Sequence, residues 1–138
     1  MFGPHLVLEL YGCDKESTRS VDTTFTFLDS VPASIGMTKI MPPYAFRYSG
    51  KVPEEWGVSG VVLIAESHIA VHTFPDQNEF VTVDIFSCKD FDIDLAIKEI
   101  EKFYKPAKIE KQLFMRGREY PRNIGKAGVI LETERESI

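Results

Sequence analysis

The sequence lacks the features that mark membrane-spanning, exported and disulfide-stabilised proteins. Its longest aliphatic run covers residues 61–65, whereas a membrane helix needs about 20 apolar residues. No basic region precedes the first apolar stretch, so no signal peptide is predicted. The chain contains two cysteines, Cys13 and Cys88. Without an export signal, we expect both to be free thiols in a cytoplasmic protein.

An excess of positive charge is also missing. The chain has 16 Lys and Arg residues against 21 Asp and Glu residues, which gives a net charge of −5. Proteins that bind nucleic-acid phosphates normally carry a basic face, so we predict no nucleic-acid partner. Metal-binding motifs are absent as well, because His68 and His72 would lie about 13 Å apart along one strand. We therefore predict neither a metal site nor a membrane partner.

The chain does contain enough apolar material for a core. Hydrophobic residues make up 43% of it, and 10 Phe, 5 Tyr and 1 Trp supply large side chains to bury. A length of 138 residues suits one domain. We predict that this domain covers residues 1–128 and that residues 129–138 form a flexible tail.

The periodicity of the apolar residues predicts more strands than helices. One helix is predicted to begin at the N-cap Asp22 and to end at Pro32, although the run of Thr and Phe there would also allow a strand. A second helix is predicted from Asp92 or Asp94 to about Tyr104. Strands are predicted at 5–11, 37–40, 58–65, 68–74, 80–88 and 107–115, with a long loop or interrupted strand at 42–56. This order indicates an α+β fold, a two-layer sandwich of an antiparallel sheet with helices on one face. We expect the other sheet face to be covered by a dimer partner.

Several polar residues interrupt these apolar strands and form the candidate site. If the hairpin loop centres near residues 77 and 78, Ser67 lies opposite Cys88 and His72 lies opposite Val83. Ser67 and His72 are five residues apart, so a regular strand would point them to opposite faces. If they act together, we expect a bend or bulge near residues 66–68.

The same residues carry a resemblance to a known family. The stretch ESHIAVHT at 66–73, with VSG at 58–60 before it and IFSC at 85–88 after it, resembles the self-cleavage region of the prokaryotic S-adenosylmethionine decarboxylases. The sequence HLVLELYGC at 5–13 is similar to the opening strand of that family. The resemblance extends from His5 to about Tyr104.

The resemblance implies an enzyme that makes its cofactor from its own chain. The Ser67 hydroxyl would attack the carbonyl of Glu66 and leave a β chain of residues 1–66 and an α chain of residues 67–138. Ser67 would become a pyruvoyl group, the cofactor, which forms a Schiff base with the substrate amine and accepts its electrons. The resemblance assigns processing roles to His72 and Ser59 and proton donation to Cys88. It also implies a homodimer of cleaved protomers, with the sites at the interface, that supplies the aminopropyl donor for spermidine biosynthesis.

The substrate pocket is less well defined by the resemblance, because the segment 44–57 is longer than in the family. Phe46 or Trp56 would stack on the substrate, and we also assign Glu9, Glu66 and His68 to the substrate site. Carboxylates for ribose hydroxyls, or for the cationic group of a basic amino acid, are available at Glu9, Glu54, Glu55, Asp76 and Glu79. We favour S-adenosylmethionine as the substrate. The alternatives are arginine or ornithine on the same scaffold, or a non-catalytic relative.

Overall fold

A computed structural model describes residues 3–65 and 67–117. The strands form one antiparallel sheet in the spatial order β2-β3-β4-β5-β1-β6. In chain order the elements are β1 (Gly3–Tyr11), α1 (Val21–Ser34), β2 (Tyr44–Tyr48), β3 (Gly57–Ile64), β4 (Ser67–Phe74), β5 (Phe80–Phe86), α2 (Ile93–Tyr104) and β6 (Lys108–Arg116), with short 3₁₀ turns at Ser17–Arg19 and Pro53–Glu55. The predicted α+β class is confirmed. The predicted domain boundary at residue 128 and the tail after it lie outside the described residues.

Alternation along the strands separates a core face from an open face. In β1, Leu6, Leu8 and Leu10 are fully buried, whereas the intervening Val7 and Glu9 are half-buried and exposed. The same period of two runs through β3, β4 and β5. Side chains of one parity therefore meet the helices, and we call the opposite surface of the sheet the open face.

The two helices pack on the core face through large apolar side chains. Helix α1 lies directly on β3, since a Cβ placed on Gly60 would come within 2.6 Å of Leu28 Cδ1. The ring of Phe27 meets the rings of Phe103 and Tyr104 from α2 edge-on. Within the described part of the chain, neither helix is long and apolar enough to cross a bilayer.

Helix α1 begins earlier and ends later than the sequence predicts. Its N-cap is Ser20, whose hydroxyl accepts a hydrogen bond from the Thr23 amide at 3.0 Å, so the prediction of Asp22 is wrong. Pro32 does not end the helix but lies inside its last turn. The helix stops just before Gly36, which adopts a left-handed conformation at φ 77° that few other residues tolerate.

The segment 37–56 also differs from expectation. The predicted strand at 37–40 is wrong, since Lys39 forms only an isolated bridge with Ile64. Pairing stops there because Pro42 and Pro43 have no amide hydrogens to donate to a ladder. Beyond them the chain re-joins the edge of β3 as β2, so the interrupted strand is the correct alternative for 42–56.

The hairpin between β4 and β5 is offset by one residue from the predicted register. Phe74 pairs with Phe80, and His72 therefore pairs with Thr82 instead of the predicted Val83. Asn78 and Glu79 adopt positive φ values, which let the loop of residues 75–79 close. Strand β5 ends at Phe86, so Cys88 lies beyond it and not within it as predicted. Residues 68–74 are in register with β5, whereas the bend or bulge expected near residues 66–68 includes residue 66, which lies outside the described residues.

The buried pair of Tyr104 and Thr24 gives a prediction about stability. The Tyr104 hydroxyl lies 2.7 Å from Thr24 Oγ1, and both side chains are fully buried. Tyr104→Phe or Thr24→Val leaves one buried hydroxyl unpaired, so each change is expected to lower the free energy of unfolding by about 1–2 kcal/mol. The double variant should lose clearly less than the sum of the two, because no orphaned hydroxyl remains.

Urea unfolding followed by circular dichroism measures these differences. A Ser67→Ala background removes the hydroxyl to which the resemblance assigns self-cleavage, so that intact chains are compared. Tyr11→Phe is the matched control, since the Tyr11 hydroxyl bonds to Glu9 in an exposed position, and a loss below about 0.5 kcal/mol is expected there. Strictly additive losses from Tyr104→Phe and Thr24→Val would contradict a coupled buried pair.

Candidate active site

The open face carries several of the predicted site residues in rows that cross the sheet. Directly paired residues on neighbouring strands point to the same side, so the register defines each row. One row runs through Glu110, Glu9, Thr82, His72, Ser59 and Phe46. The row two residues nearer the start of β4 contains Val7, Asp84, Ala70 and Val61, and the next contains His5, Phe86, His68 and Leu63.

Ser59 and His72 form a hydrogen-bonded pair in the middle of the open face. They are direct partners on β3 and β4, and Ser59 Oγ lies 2.9 Å from His72 Nδ1. The imidazole of His72 is exposed, while Ser59 is half-buried. A hydroxyl that holds one ring nitrogen fixes the plane of the imidazole and leaves Nε2 for proton transfer.

Ser67 and Cys88 form a second pair at the opposite end of β4. Ser67 is the first residue of that strand, and Cys88 follows the end of β5 by two residues. Ser67 Oγ lies 3.2 Å from Cys88 Sγ, within hydrogen-bonding distance for sulfur. The prediction that Ser67 and Cys88 meet is confirmed, although the register around them differs by one residue.

The two pairs do not meet within one protomer. Ser67 and His72 are five residues apart on a regular strand, which places them about 16 Å apart along β4. The two residues also belong to opposite faces of β4. His72 shares the open face with His68, while Ser67 has the parity of the buried Ile69. The folded chain therefore presents two separate half-sites, one with the Ser67 hydroxyl and Cys88 thiol and one with the Ser59–His72 pair.

A cavity of about 330 Å³ opens beside the Ser59–His72 pair. Phe46 enters it from β2, where it pairs with Ser59, and the aromatic rings of Tyr48 and Phe74 line it as well. Its described lining is completed by Glu55, Gly57 and Thr73. The volume lies at the lower end of the range for small-molecule sites, and the lining is mainly apolar with a few polar groups.

Trp56, the other aromatic predicted to stack on a ligand, is engaged elsewhere. Its indole nitrogen donates to Asp76 Oδ2 at 2.9 Å, and the guanidinium of Arg47 lies 4.2 Å from the ring centroid. Among the described residues that line the cavity, Phe46 is present and Trp56 is not. The geometry therefore favours Phe46 for the stacking role.

Three of the candidate carboxylates already have partners. The Tyr11 hydroxyl donates to Glu9 at 2.8 Å, and this bond is the main cause that raises the pKa of Tyr11 to about 12. Asp76 accepts the Trp56 bond, and Glu79 accepts from Arg19 at 2.7 Å and from Thr18. Burial alone would raise the pKa of Glu79, but these two hydrogen bonds and the positive charges of Arg19 and Lys15 together hold the pKa below its ordinary value. Glu9 also borders a separate, smaller cavity with Glu110 and Lys111.

His68 lies in a ring cluster on the open face, one residue from Ser67. Its ring centroid is 5.8 Å from that of Phe86 and 6.3 Å from that of His5. His5 Nε2 is buried without a hydrogen-bond partner among the described residues, and burial lowers the pKa of this histidine. Glu66, predicted at the cleavage and substrate sites, lies outside the described residues.

Sequence reasoning missed the roles of Tyr48 and Phe74 in lining the cavity. A signal was present, since Tyr44, Phe46 and Tyr48 alternate with the period of a strand. Phe74 likewise shares the parity of His72. No group of three or more His, Cys, Asp or Glu side chains that could hold a metal ion occurs within residues 3–65 and 67–117.

Comparison with known proteins shows which family the chain resembles. The family model described as S-adenosylmethionine decarboxylase matches residues 4–117. The S-adenosylmethionine decarboxylase proenzyme of Methanococcus vannielii is 34% identical over 109 residues, which cover 78% of this chain and 84% of that protein. The proenzyme of Archaeoglobus fulgidus is 32% identical over 116 residues, which cover 83% of this chain and 97% of that protein.

A solved structure is similar over the same region. The crystal structure of the adenosylmethionine decarboxylase from Aquifex aeolicus superposes with a TM-score of 0.66 at 30% sequence identity. The match covers 83% of this chain and 90% of that one. The family match, the relatives and the shared fold together show that the chain belongs to the S-adenosylmethionine decarboxylase family.

Proposed function

We propose that this protein cleaves its own chain between Glu66 and Ser67 and then decarboxylates S-adenosylmethionine. The observation that carries the proposal is the 3.2 Å contact between the Ser67 hydroxyl and the Cys88 thiol. It joins a nucleophile at the proposed cleavage position to a proton donor, in a chain whose family relatives are named as proenzymes.

Self-cleavage assigns a nucleophilic role to Ser67. Its hydroxyl attacks the carbonyl carbon of residue 66, an ester forms and the peptide C–N bond breaks. Elimination then releases residues 1–66 with a terminal carboxylate. Water supplies the ketone oxygen at residue 67 and ammonia leaves, which produces the pyruvoyl group. The Ser59–His72 pair is suited to accept and return protons in these steps.

Decarboxylation needs an electron sink and a proton donor. The pyruvoyl ketone supplies the sink for the electrons that remain when the substrate loses carbon dioxide. Cys88 lies beside residue 67 and is the thiol closest to it among the described residues, because Cys13 is buried in the core cluster. We assign the return of one proton to the substrate carbon to Cys88.

The cavity beside His72 supports a nucleoside substrate over a plain basic amino acid. Phe46, Tyr48 and Phe74 offer aromatic faces, and stacking of a base on such a face contributes about 1–3 kcal/mol. A site for the guanidinium of arginine would need several converging carboxylates, whereas the described lining includes one, Glu55.

A face-to-face dimer would set the two half-sites at the same level, with Ser67 at the end of β4, although it has the parity of the core face. A two-fold axis that crosses β4 at the level of residues 69 and 70 sets Ser67 of one protomer at the level of the partner's His72. Stacked sheets lie about 10 Å apart, a gap that side chains from both faces fill. The open face exposes large apolar side chains, which supports its burial against a second protomer. They are Tyr44, Phe46, Tyr48, Leu63 and Phe114.

Self-cleavage should be visible in the mass of the chain itself. Denaturing mass spectrometry of the purified protein should give two fragments, residues 1–66 and 67–138, the second with a group that reacts with hydroxylamine or borohydride. Ser67→Ala should give a single chain, because the nucleophile is lost. An uncleaved wild-type chain after prolonged incubation would overturn the proposal.

Cys88→Ala separates processing from turnover. This variant is expected to cleave like the wild type but to lose at least about 100-fold in kcat, a loss typical of removing a positioned general acid. Carbon dioxide release from S-adenosylmethionine, arginine and ornithine, each tested alone, measures both turnover and substrate choice. Cys13→Ala is the matched control for thiol removal and should retain activity where the protein folds. Normal turnover by Cys88→Ala would remove Cys88 from the mechanism.

Mixed dimers test whether each site is shared between protomers. Ser67→Ala and His72→Ala chains are co-expressed with different tags, and dimers that carry both tags are purified. In a shared site, the His72→Ala chain supplies Ser67 and its partner supplies His72, so only the His72→Ala chain is cleaved. If neither chain is cleaved in the mixed dimer while the wild type is, the shared-site geometry is wrong.

A further inference from the structure

Cys88 lies beside Ser67 although no strand pairing places it there. Strand β5 ends at Phe86, which pairs with His68 on β4. If that register continued for one more residue, Ser87 and not Cys88 would lie opposite Ser67. The 3.2 Å contact between Ser67 Oγ and Cys88 Sγ therefore depends on the way the chain turns after β5.

The side chain of Ser87 closes that turn. Its hydroxyl accepts a hydrogen bond from the Lys89 amide at 3.1 Å, and the ring closed by this bond includes the backbone of Cys88. The same hydroxyl donates to the sulfur of Met37 at 3.5 Å. Because Ser87 is only 1% exposed, its hydroxyl relies on these protein partners instead of water.

The backbone of Ser87 is held by the start of β1. Its amide donates to the Pro4 carbonyl at 3.1 Å. A Cβ placed on Gly3 would lie 1.8 Å from the Ser87 carbonyl oxygen and 2.9 Å from Cys88 Cα, so this part of the chain packs where residue 3 has no side chain. With the backbone of Ser87 fixed in this way, its hydroxyl acts on the residues that follow it.

The other neighbour of Cys88 is held less firmly. The Lys89 ammonium donates to the Gly36 carbonyl at 2.9 Å, next to the residue that Ser87 contacts. This contact is exposed, so water competes for both of its groups. The buried Ser87 hydroxyl is therefore the stronger constraint on the turn that carries the thiol.

We infer that Ser87 is a positioning residue of the active site, whose hydroxyl sets the turn that holds the Cys88 thiol against residue 67. The inference rests on the proposed function for the role of Cys88 as proton donor. In this role the Ser87 hydroxyl acts through Cys88 and does not contact the substrate. A reacting group that is displaced by about 1 Å can lose about 100-fold in rate, so a single buried hydrogen bond is enough to matter.

Steady-state kinetics test whether Ser87 acts through Cys88. Ser87→Ala is expected to self-cleave like the wild type and to lose about 10- to 100-fold in kcat with S-adenosylmethionine. Its KM should stay within about three-fold, because Ser87 is not among the described residues that line the cavity. In a Cys88→Ala background the same change should cost less than about three-fold in kcat, since the thiol that it positions is gone. Equal losses in both backgrounds would overturn the inference.

Disulfide trapping measures the position of the thiol without relying on turnover. In a Ser67→Cys chain, oxidised glutathione should link residues 67 and 88 by a disulfide and leave as two molecules of reduced glutathione. Adding Ser87→Ala is expected to slow this link at least about 10-fold, because the two sulfur atoms meet less often. Peptide mass mapping without reduction measures the link in chains that remain whole. Absence of the link in Ser67→Cys, or an equal rate after Ser87→Ala, would contradict the assigned role.

Thr24→Val is the matched control for the loss of a buried hydroxyl, since Thr24 contacts Tyr104 in the core. It should leave kcat and the linking rate within about two-fold of their starting values. Parallel losses in Thr24→Val and Ser87→Ala would show a general effect of lower stability and would count against positioning. If the wild type neither cleaves nor releases carbon dioxide while linking still depends on Ser87, the proposed function fails and the positioning of Cys88 stands.

Discussion

The register of β4 between β3 and β5 is the constraint on which the site depends. A slip of one residue would exchange the faces of every side chain in the strand. Thr73 helps to prevent such a slip, since its hydroxyl accepts from the Val58 amide at 2.9 Å and donates to the Thr18 carbonyl at 2.7 Å. Both bonds are buried, so breaking them without replacement would be costly. The position of His72, one residue before Thr73, follows from this anchor.

This rigid strand explains why the two half-sites are distinct. The buried Ile69 and Val71 hold the centre of β4 against the helices, which leaves its polar residues at the two ends and on the open face. A bend that brought Ser67 to His72 within one chain would expose these core residues. Pairing of two copies achieves the same meeting without deforming the strand. The regular backbone therefore agrees with the proposed dimer, in which the two half-sites come from different protomers.

The parts of the fold that follow from strong periodicity could be predicted from the sequence. The parts that depend on which of two nearby side chains forms a given hydrogen bond could not. Strands β1, β3 and β4 were predicted within a residue or two of their ends, because their apolar residues alternate cleanly. The start of α1 depended on whether the side chain of Ser20 or of Asp22 accepts the capping hydrogen bond from a backbone amide of the first turn. The sequence alone does not decide between them. The contact of Ser67 with Cys88 was predicted, but the choice of Phe46 over Trp56 required the position of Asp76, 20 residues further along the chain.

Cleavage after residue 66, as proposed, would cut the chain between β3 and β4. Strands β1, β2 and β3 come from the first fragment and β4, β5 and β6 from the second. In the sheet these strands interleave, since β4 pairs with β3 while β1 lies between β5 and β6. Each fragment is therefore held to the other along three ladders, which together include Ser59–His72, Leu8–Val83 and Leu8–Lys111. Separation would break all three ladders and expose the shared core, so the cut protomer remains one folding unit with its half-sites in register.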